Sequence, residues 1–384
     1  MYQVRRVYIG KTPQVDELAR ECGKLYSQTV TSFWRVVRKQ GLWLKPKHLM
    51  RWYTSDKLHA HTADACIQAF FASLNSWRAR RKSDPNARPP RRRRSYFRIK
   101  YKSTAIRLRD GKLTLSNGKG NQPLILEWQW ETPKTVVIHW TGTLYETIAT
   151  YQVEVPAQAQ GNKVAGIDLG EVHLAVSHDG EQTIILNGRL LRAKRQYQNK
   201  LKATLQAKID VKQKGSRRHK RLARSKHKQL KKLKNQIKDI EHQQSSRLIS
   251  TLHASGVQTV VIGDVRAIRQ DLDVGTKNNQ KLHQWSHGSI RHKLTYKAER
   301  HGMSVSLQEE SYSSQTCPSC GKRSKPRGRV YRCNACRFSF HRDAVGAINI
   351  RAKYQGIFGT SLAVGGMAPP IGMRSKPHTG VARR

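Results

Sequence analysis

Four cysteines and a few carboxylates hold the chemistry of this chain. Cys317-x2-Cys320 and Cys333-x2-Cys336, twelve residues apart, present four thiolates as two knuckles, the spacing that closes a tetrahedral Zn2+ site. The segment between them, Gly321–Arg332, is Gly, Pro, Lys and Arg with almost nothing apolar, so it cannot make a core and needs the metal to hold it. A structural zinc ribbon is expected. Acidic residues are scarce, 25 in 384 positions, and yet Glu309, Glu310 and Asp343 flank this module. Another carboxylate, Asp168, lies between Ile167 and Leu169 in the apolar run Val164–Val176, where Gly166 and Gly170 allow close approach. A carboxylate in a buried strand needs a partner. It is either tucked against an Arg or placed as a metal-dependent nuclease places one at the centre of its sheet.

The elements that must position these groups come in order. The chain returns from Asp168 as Leu174–Val176, and Ile184–Leu186 supplies a third strand after the Asp179-Gly180 turn. Leu191–Ile240 holds nineteen Lys and Arg against two acids and reads as a helical hairpin bridged by Lys212–Arg218. The helix continues through Ile240–His253 and closes at Gly256, before Gln258–Val265, a buried strand of parallel type. That is a β-α-β crossover. Arg266–Gln280 is polar and reads as a mobile loop; Leu282–Arg300, carrying Trp285, Ile290, Leu294 and Ala298, reads as one helix stopped at Gly302. His283 and His287 lie four apart with no local acid or Cys and read as surface histidines. Ser304–Leu307 is a strand leading straight into Glu309-Glu310, and Asp343 opens a helix over Ala344–Tyr354. The Gly-, Pro- and Arg-rich tail Gly356–Arg384 reads as disordered.

The first half is different. Met1–Ile9 alternates like a strand, and Thr12-Pro13 starts a long amphipathic helix with an N-cap hydroxyl and Pro at the first helical position. Cys22 lies on its apolar stripe and Cys66 on that of a second helix, so both read as core residues rather than a disulfide pair. Ile106–Leu115 reads as a hairpin around Asp110-Gly111, and Leu124–Trp130, Thr135–Trp140 and Thr147–Val155 as further strands. A small barrel or sandwich entered by a helical insertion is expected.

Seventy-three Lys and Arg leave a formal charge of +48, which calls for a polyanionic partner, with nucleic acid the default. Two stretches are candidates for phosphate contact. One is Arg78–Lys100, with Arg78, Arg80, Arg81 and the block Arg91, Arg92, Arg93, Arg94 beside Tyr96 and Phe97, aromatics available for stacking. The other is the hairpin bridge with the residues just after it: Lys212, Lys214, Arg217, Arg218, Lys220 and Arg221. No apolar run approaches the ~20 residues that span a bilayer, and no signal-peptide core opens the chain. A cytoplasmic protein associated with the nucleoid through DNA, with no membrane partner, is expected.

Taken together, GIDLG at 166–170, Trp285 with YKAERHG at 296–302, YSSQTCPSCG with RCNAC at 312–321 and 332–336, and HRDAVGAINI at 341–350 resemble, in this order, the TnpB family of transposon-associated RNA-guided endonucleases related to type V CRISPR effectors. The resemblance covers Ala165–Tyr354. It implies a mixed α/β multidomain chain. The parts would be a β-barrel wedge domain (1–10 and 97–160), a helical recognition insertion with a basic linker (11–96), an RNase H-like (RuvC) nuclease domain (161–311 and 341–355) with an inserted zinc ribbon (312–340), and a basic tail (356–384). It further implies a noncoding guide RNA from the transposon, double-stranded target DNA beside a short target-adjacent motif, and two Mg2+ (or Mn2+) ions for phosphodiester hydrolysis. Asp168 and Asp343 match two family ligands. Many relatives carry the third as a Glu in the strand after the crossover, where this chain has Gly263 followed by Asp264. A branch with a shifted Glu places it just ahead of the Tyr-Ser/Thr-Ser segment, which points to Glu310, with Asp264 the runner-up and Glu309 third. A nuclease-dead RNA-guided repressor and an unguided zinc-ribbon nucleic-acid-binding protein are the competing expectations.

Overall fold

Local capping and turn chemistry set the first elements of the computed structural model, which describes residues 1–92, 95–266, 273, 275–362 and 367–375. The chain forms two units, Met1–Glu154 and Val155–Arg384.

In the first unit β1 (Tyr2–Ile9) precedes α1 (Pro13–Gln40), whose N-cap Thr12 accepts from the Val15 backbone N–H and whose C-terminal end is closed by Gly41 in the left-handed region. Next come α2 (Pro46–Trp52), which carries no strong signal in the sequence, and α3 (Ala60–Arg81). Six further strands complete the unit: β2 (Ile99–Lys102), β3 (Ile106–Arg109), β4 (Lys112–Leu115), β5 (Leu124–Glu127), β6 (Thr135–Trp140) and β7 (Tyr145–Gln152). Asp110 and Gly111 both have positive φ (47° and 70°), the type I′ conformation that their identities favour. The strands make a four-stranded antiparallel sheet, β1-β7-β6-β2, and a three-stranded one, β3-β4-β5. One core joins both sheets to α1 and α3, with Cys22 and Cys66 fully inside it.

The second unit is built on a six-stranded mixed sheet. Its elements are β8 (Lys163–Asp168), β9 (His173–His178), β10 (Thr183–Asn187), α4 (Arg189–Asp210), α5 (Arg217–Ala254), β11 (Val257–Gly263), α6 (Thr276–Gln284), α7 (His287–Arg300), β12 (Ser304–Gln308), β13 (Val330–Arg332), β14 (Ser339–His341), α8 (Arg342–Tyr354) and β15 (Ile371–Met373). The sheet order is β12-β11-β8-β9-β10-β15, with β8, β11 and β12 mutually parallel and β9 antiparallel to both its neighbours. Ala165, Ile167 and Leu169 of the β8 segment face the core shared with α5 and α7. Alternation sends Gly166 and Asp168 to the other face, against α8. Glycine is required there. A Cβ at 166 would lie 2.2 Å from the Ala347 carbonyl oxygen, and one at 346 would lie 2.7 Å from Asp168 Oδ2.

Three expectations need correction. The helix read over Leu282–Arg300 is two helices, broken at Trp285-Ser286, and of the loop read over Arg266–Gln280 residues 267–272 and 274 lie outside the described residues, while its end, 276–280, belongs to α6. The tail read as disordered contributes β15, which adds to the β10 edge in parallel, Ile184 beside Ile371. The Tyr96 hydroxyl donates to Asp16 Oδ2 (3.1 Å), and the Phe97 ring packs on Tyr26 (4.4 Å between centroids), both rings being half-buried.

Candidate metal centre and nucleic-acid interface

Asp168 ends β8, Glu310 follows β12 by two residues, and Asp343 lies in the first turn of α8. A cleft of ≈600 Å³ is lined by all three, with His173, Arg329 and Trp285 on its walls. The register of β8, β11 and β12 explains how Glu310 gets there. Ile262 pairs with Ile167, so position 263 is one step on, beside Asp168, while Gly263 pairs with Gln308 on its other side. A Cβ at 263 would lie 1.6 Å from Glu310 Oε1. The Glu310 carboxylate therefore fills the slot that a side chain of β11 would otherwise occupy.

Charge is the cost of this arrangement. Burial, then the Asp343 charge, pushes the Asp168 carboxyl well above the usual range; burial, then Asp168, Asp264 and Glu309, does the same to Glu310. Glu310 Oε1 is buried and accepts no hydrogen bond. Asp343 is shifted the other way. Burial raises it, but the His173 imidazole and Arg329 outweigh that and hold it below the ordinary carboxylate range, with His173 Nδ1 2.7 Å and Arg329 Nη1 3.2 Å from Asp343 Oδ2.

The other two candidates for the third carboxylate are engaged elsewhere. Arg266 forks onto Asp264 through Nε (2.8 Å to Oδ2) and Nη2 (2.5 Å), Arg291 adds a contact at 3.4 Å, and Asp264 is not in the cleft lining. Glu309 is exposed, caps the Ser311 backbone N–H at 2.5 Å and pairs with Lys353 at 3.0 Å. That pair belongs to a clamp from α8 on the Glu310 turn. Lys353 Nζ also donates to the carbonyls of Glu309 (3.2 Å) and Ser311 (2.6 Å), and buried Asn349 donates to those of Ser313 (2.6 Å) and Thr316 (2.8 Å).

The four ribbon cysteines converge, with Cys317 and Cys336 sulfurs 3.6 Å apart and Cys320 and Cys333 likewise. Tetrahedral Zn–S bonds of about 2.3 Å place sulfurs about 3.8 Å apart, so the cluster fits a zinc ribbon. Burial would raise the Cys333 thiol, but backbone N–H groups of Cys336 and Ala335 bring it down to about 6, toward the ligating thiolate.

Sequence reasoning misses His173, His341 and Arg329. His173 and His341 are brought to Asp343, and the ligand atoms of the three lie within 4.8 Å of one another. His341 is two residues before Asp343 and within reach of a local reading; His173 is not, being 170 residues away.

The basic candidates divide by location. Arg78, Arg80 and Arg81 end α3: Arg78 stacks on Trp43 (4.0 Å), Arg81 lies over Trp77 (5.3 Å), and Arg80 pairs with Asp84 (3.2 Å). Arg91 and Arg92 are exposed, and Arg93 and Arg94 lie outside the described residues. At the link between α4 and α5, Lys214, Arg217, Arg218, Lys220 and Arg221 are exposed, and Lys212 is half-buried. Among the described residues no helix is long and apolar enough to cross a membrane.

Residues 148–269 match a family model described as a probable transposase, OrfB of IS605, and residues 287–350 match the TNB domain of Cas12f1-like proteins. A TnpB-like protein of Methanocaldococcus jannaschii is 31% identical over 126 residues, 32% of this chain and 45% of that protein. The CRISPR-associated endodeoxyribonuclease Cas12f1 of Sulfoacidibacillus thermotolerans is 27% identical over 201 residues, 49% of this chain and 45% of that protein. The matched region thus spans under half the length of either relative. In fold, the chain is similar to the protein of a Cas12f1-sgRNA-target DNA complex, with a TM-score of 0.59 at 11% identity, covering 88% of this chain and 83% of that one.

Proposed function

We propose that this chain, which belongs to the TnpB family, is an RNA-guided DNA endonuclease that cleaves double-stranded DNA next to a short target-adjacent motif. The observation that carries the reading is the Glu310 carboxylate in the Gly263 slot beside Asp168. It supplies the third carboxylate that Gly263 itself lacks. The sheet order, with β8, β11 and β12 parallel and β9 returning antiparallel, supports an RNase H-like nuclease domain over 161–311 and 341–355. The two antiparallel sheets of the first unit support the wedge assignment for 1–10 and 97–160, with the recognition insertion at 11–96, and the cluster of four cysteines supports the ribbon at 312–340.

Asp168, Glu310 and Asp343 fit divalent cations, Mg2+ or Mn2+. Two carboxyls are raised by burial and mutual repulsion, and one buried oxygen has no donor. Bound there, such ions supply an attacking hydroxide and stabilise the leaving oxygen. The chain's own groups do the rest. His173 and Arg329 hold Asp343 ionised, the Arg329 side chain, half exposed at 52%, faces the cleft mouth where a phosphate would enter, and Trp285 gives the cleft an apolar wall. Guide and target backbones would neutralise the basic residues of α3, the 91–94 block and the α4–α5 link. A nucleoid-associated protein of a prokaryotic cytoplasm follows from these partners.

The test is a cleavage assay with protein co-purified with its native RNA, on plasmids with a randomised flank beside the target, in Mg2+. Asp168→Ala and Glu310→Ala are expected to lose cleavage by about 100-fold or more while keeping the RNA, and Asp264→Ala to keep both. Guide-dependent binding by wild type without cutting would replace the reading with a repressor.

A further inference from the structure

The two ends of the cleft offer different donors. Asp168 and Glu310 present oxygen alone. At the other end Asp343 is joined by His173, the first residue of β9; His341, which ends β14 at the N-cap position of α8, is not part of the cleft lining but brings a ring nitrogen within 4.8 Å of both. The His173 and His341 rings stand 5.0 Å apart between centroids at 56°, so their edges converge on one region rather than stack. His341 Nδ1 is buried and has no hydrogen-bond partner. An aromatic nitrogen hidden in this way carries an unmet lone pair or proton.

We propose that His173, His341 and Asp343 form a nitrogen-rich metal position that takes a first-row divalent transition ion, with Mn2+ as the probe, in preference to Mg2+. The proposal rests on the reading of Asp343 as a metal ligand, and adds two imidazoles to it. An ion at this position would replace the proton shared by His173 Nδ1 and Asp343 Oδ2, now 2.7 Å apart. Neighbouring ligands on one ion stand roughly 3 Å apart, so the His173–Asp343 pair is already at that spacing, and His341, within 4.8 Å of both, has to close in on the ion. Imidazole suits transition ions, whereas Mg2+ favours carboxylate and water. Arg329, on the same Oδ2, is the cation already there, and its half-exposed side chain can swing out to solvent.

The experiment uses full-length protein with its ribbon loaded with zinc, so that Mn2+ does not report on the cysteines. Mn2+ binding is followed by loss of the free-ion electron paramagnetic resonance signal, and the ligands by electron spin echo modulation from imidazole 14N. Wild type is expected to show nitrogen modulation; His341→Ala and His173→Ala each to lose part of it and to weaken this position about 10- to 100-fold, and the double variant to lose it. Asp168→Ala should keep the nitrogen modulation, since it alters only the oxygen end. Thermal melts that match wild type guard against misfolding, and His341→Gln is the second variant if His341→Ala melts early. Three results would overturn the proposal: Mn2+ bound by wild type without nitrogen modulation, modulation that survives in the double variant, or no binding in the millimolar range. None depends on guide RNA or cleavage, so failure here leaves the endonuclease reading standing, and loss of that reading in the plasmid assay leaves this one testable.

Discussion

A Cβ on Gly263 would lie 1.6 Å from Glu310 Oε1, so one strand must be bare for the next to deliver its carboxylate. Gly263→Ala is therefore expected to act through its neighbour. The methyl group must expel the Glu310 carboxylate, and cleavage should fall to the level of Glu310→Ala. Because the displaced atoms end a flexible side chain, the melt should change by little more than an overpacking cost of about 1–3 kcal/mol. The combination Gly263→Glu with Glu310→Ala returns a carboxylate to the slot from β11 and should recover at least about tenfold of the missing rate. Full cleavage by Gly263→Ala would remove Glu310 from the site.

Lys353 separates positioning from stability. Its ammonium bonds two carbonyls and one carboxylate of the turn carrying Glu310, from the far end of the helix whose first turn carries Asp343. Lys353→Met should raise the Mg2+ concentration needed for half-maximal cleavage by about tenfold, with a small change in melting temperature and partial rescue in Lys353→Arg. Asn349→Ala should do the opposite. It strands two buried carbonyls, costing about 2–4 kcal/mol, which thermal unfolding will detect directly.

The features legible in the sequence are those that neighbouring residues decide. Thr12-Pro13 caps α1, Asp110-Gly111 turns its hairpin, and the knuckle spacing brings the cysteines together, each within a few residues. Asp168, too, is legible, because an acid inside an apolar strand is conspicuous. Long-range constraints are not. The stripe Trp285, Ile290, Leu294, Ala298 runs on across the break between α6 and α7, which is pinned from α5: Glu241 accepts from Ser286 Oγ at 2.6 Å and Ser289 Oγ at 2.9 Å. The β15 strand exists only because the β10 edge stands open to it, and His173 meets Asp343 only through the sheet. Tyr96 looks available in sequence because its partner Asp16 is 80 residues earlier.

The α4–α5 link makes a prediction about salt. Each phosphate contact removed should reduce the slope of log affinity against log salt by about 0.7–0.9. Lys214 and Arg218 are exposed there, with Arg217 beside them. Replacing all three by Ala should therefore flatten the slope for guide RNA by about 2–3 and weaken binding most at low salt. An unchanged slope would mean that RNA does not run over this link, whatever the change in affinity at one salt concentration.

Glu241 should make the second unit sensitive to acid. Its buried carboxylate receives Arg195 Nη2 at 2.6 Å and Lys293 Nζ at 2.8 Å, joining α4, α5 and α7. Burial would raise its pKa, but hydrogen bonds from Lys293 and Ser286 outweigh that, and the group titrates below its ordinary range. A lowered folded pKa means stability that is fully present above the unfolded carboxyl value of about 4.3 and is lost as pH falls through the folded one. Glu241→Gln leaves two buried cations without their counter-charge, a loss of about 3–5 kcal/mol near neutral pH. Denaturant midpoints of wild type and variant should thus differ by a constant amount from neutral pH down to about 5 and converge in stronger acid. A gap that widened in acid instead would mean that Glu241 is protonated in the native network and that its contacts to Arg195 and Lys293 are not ionic.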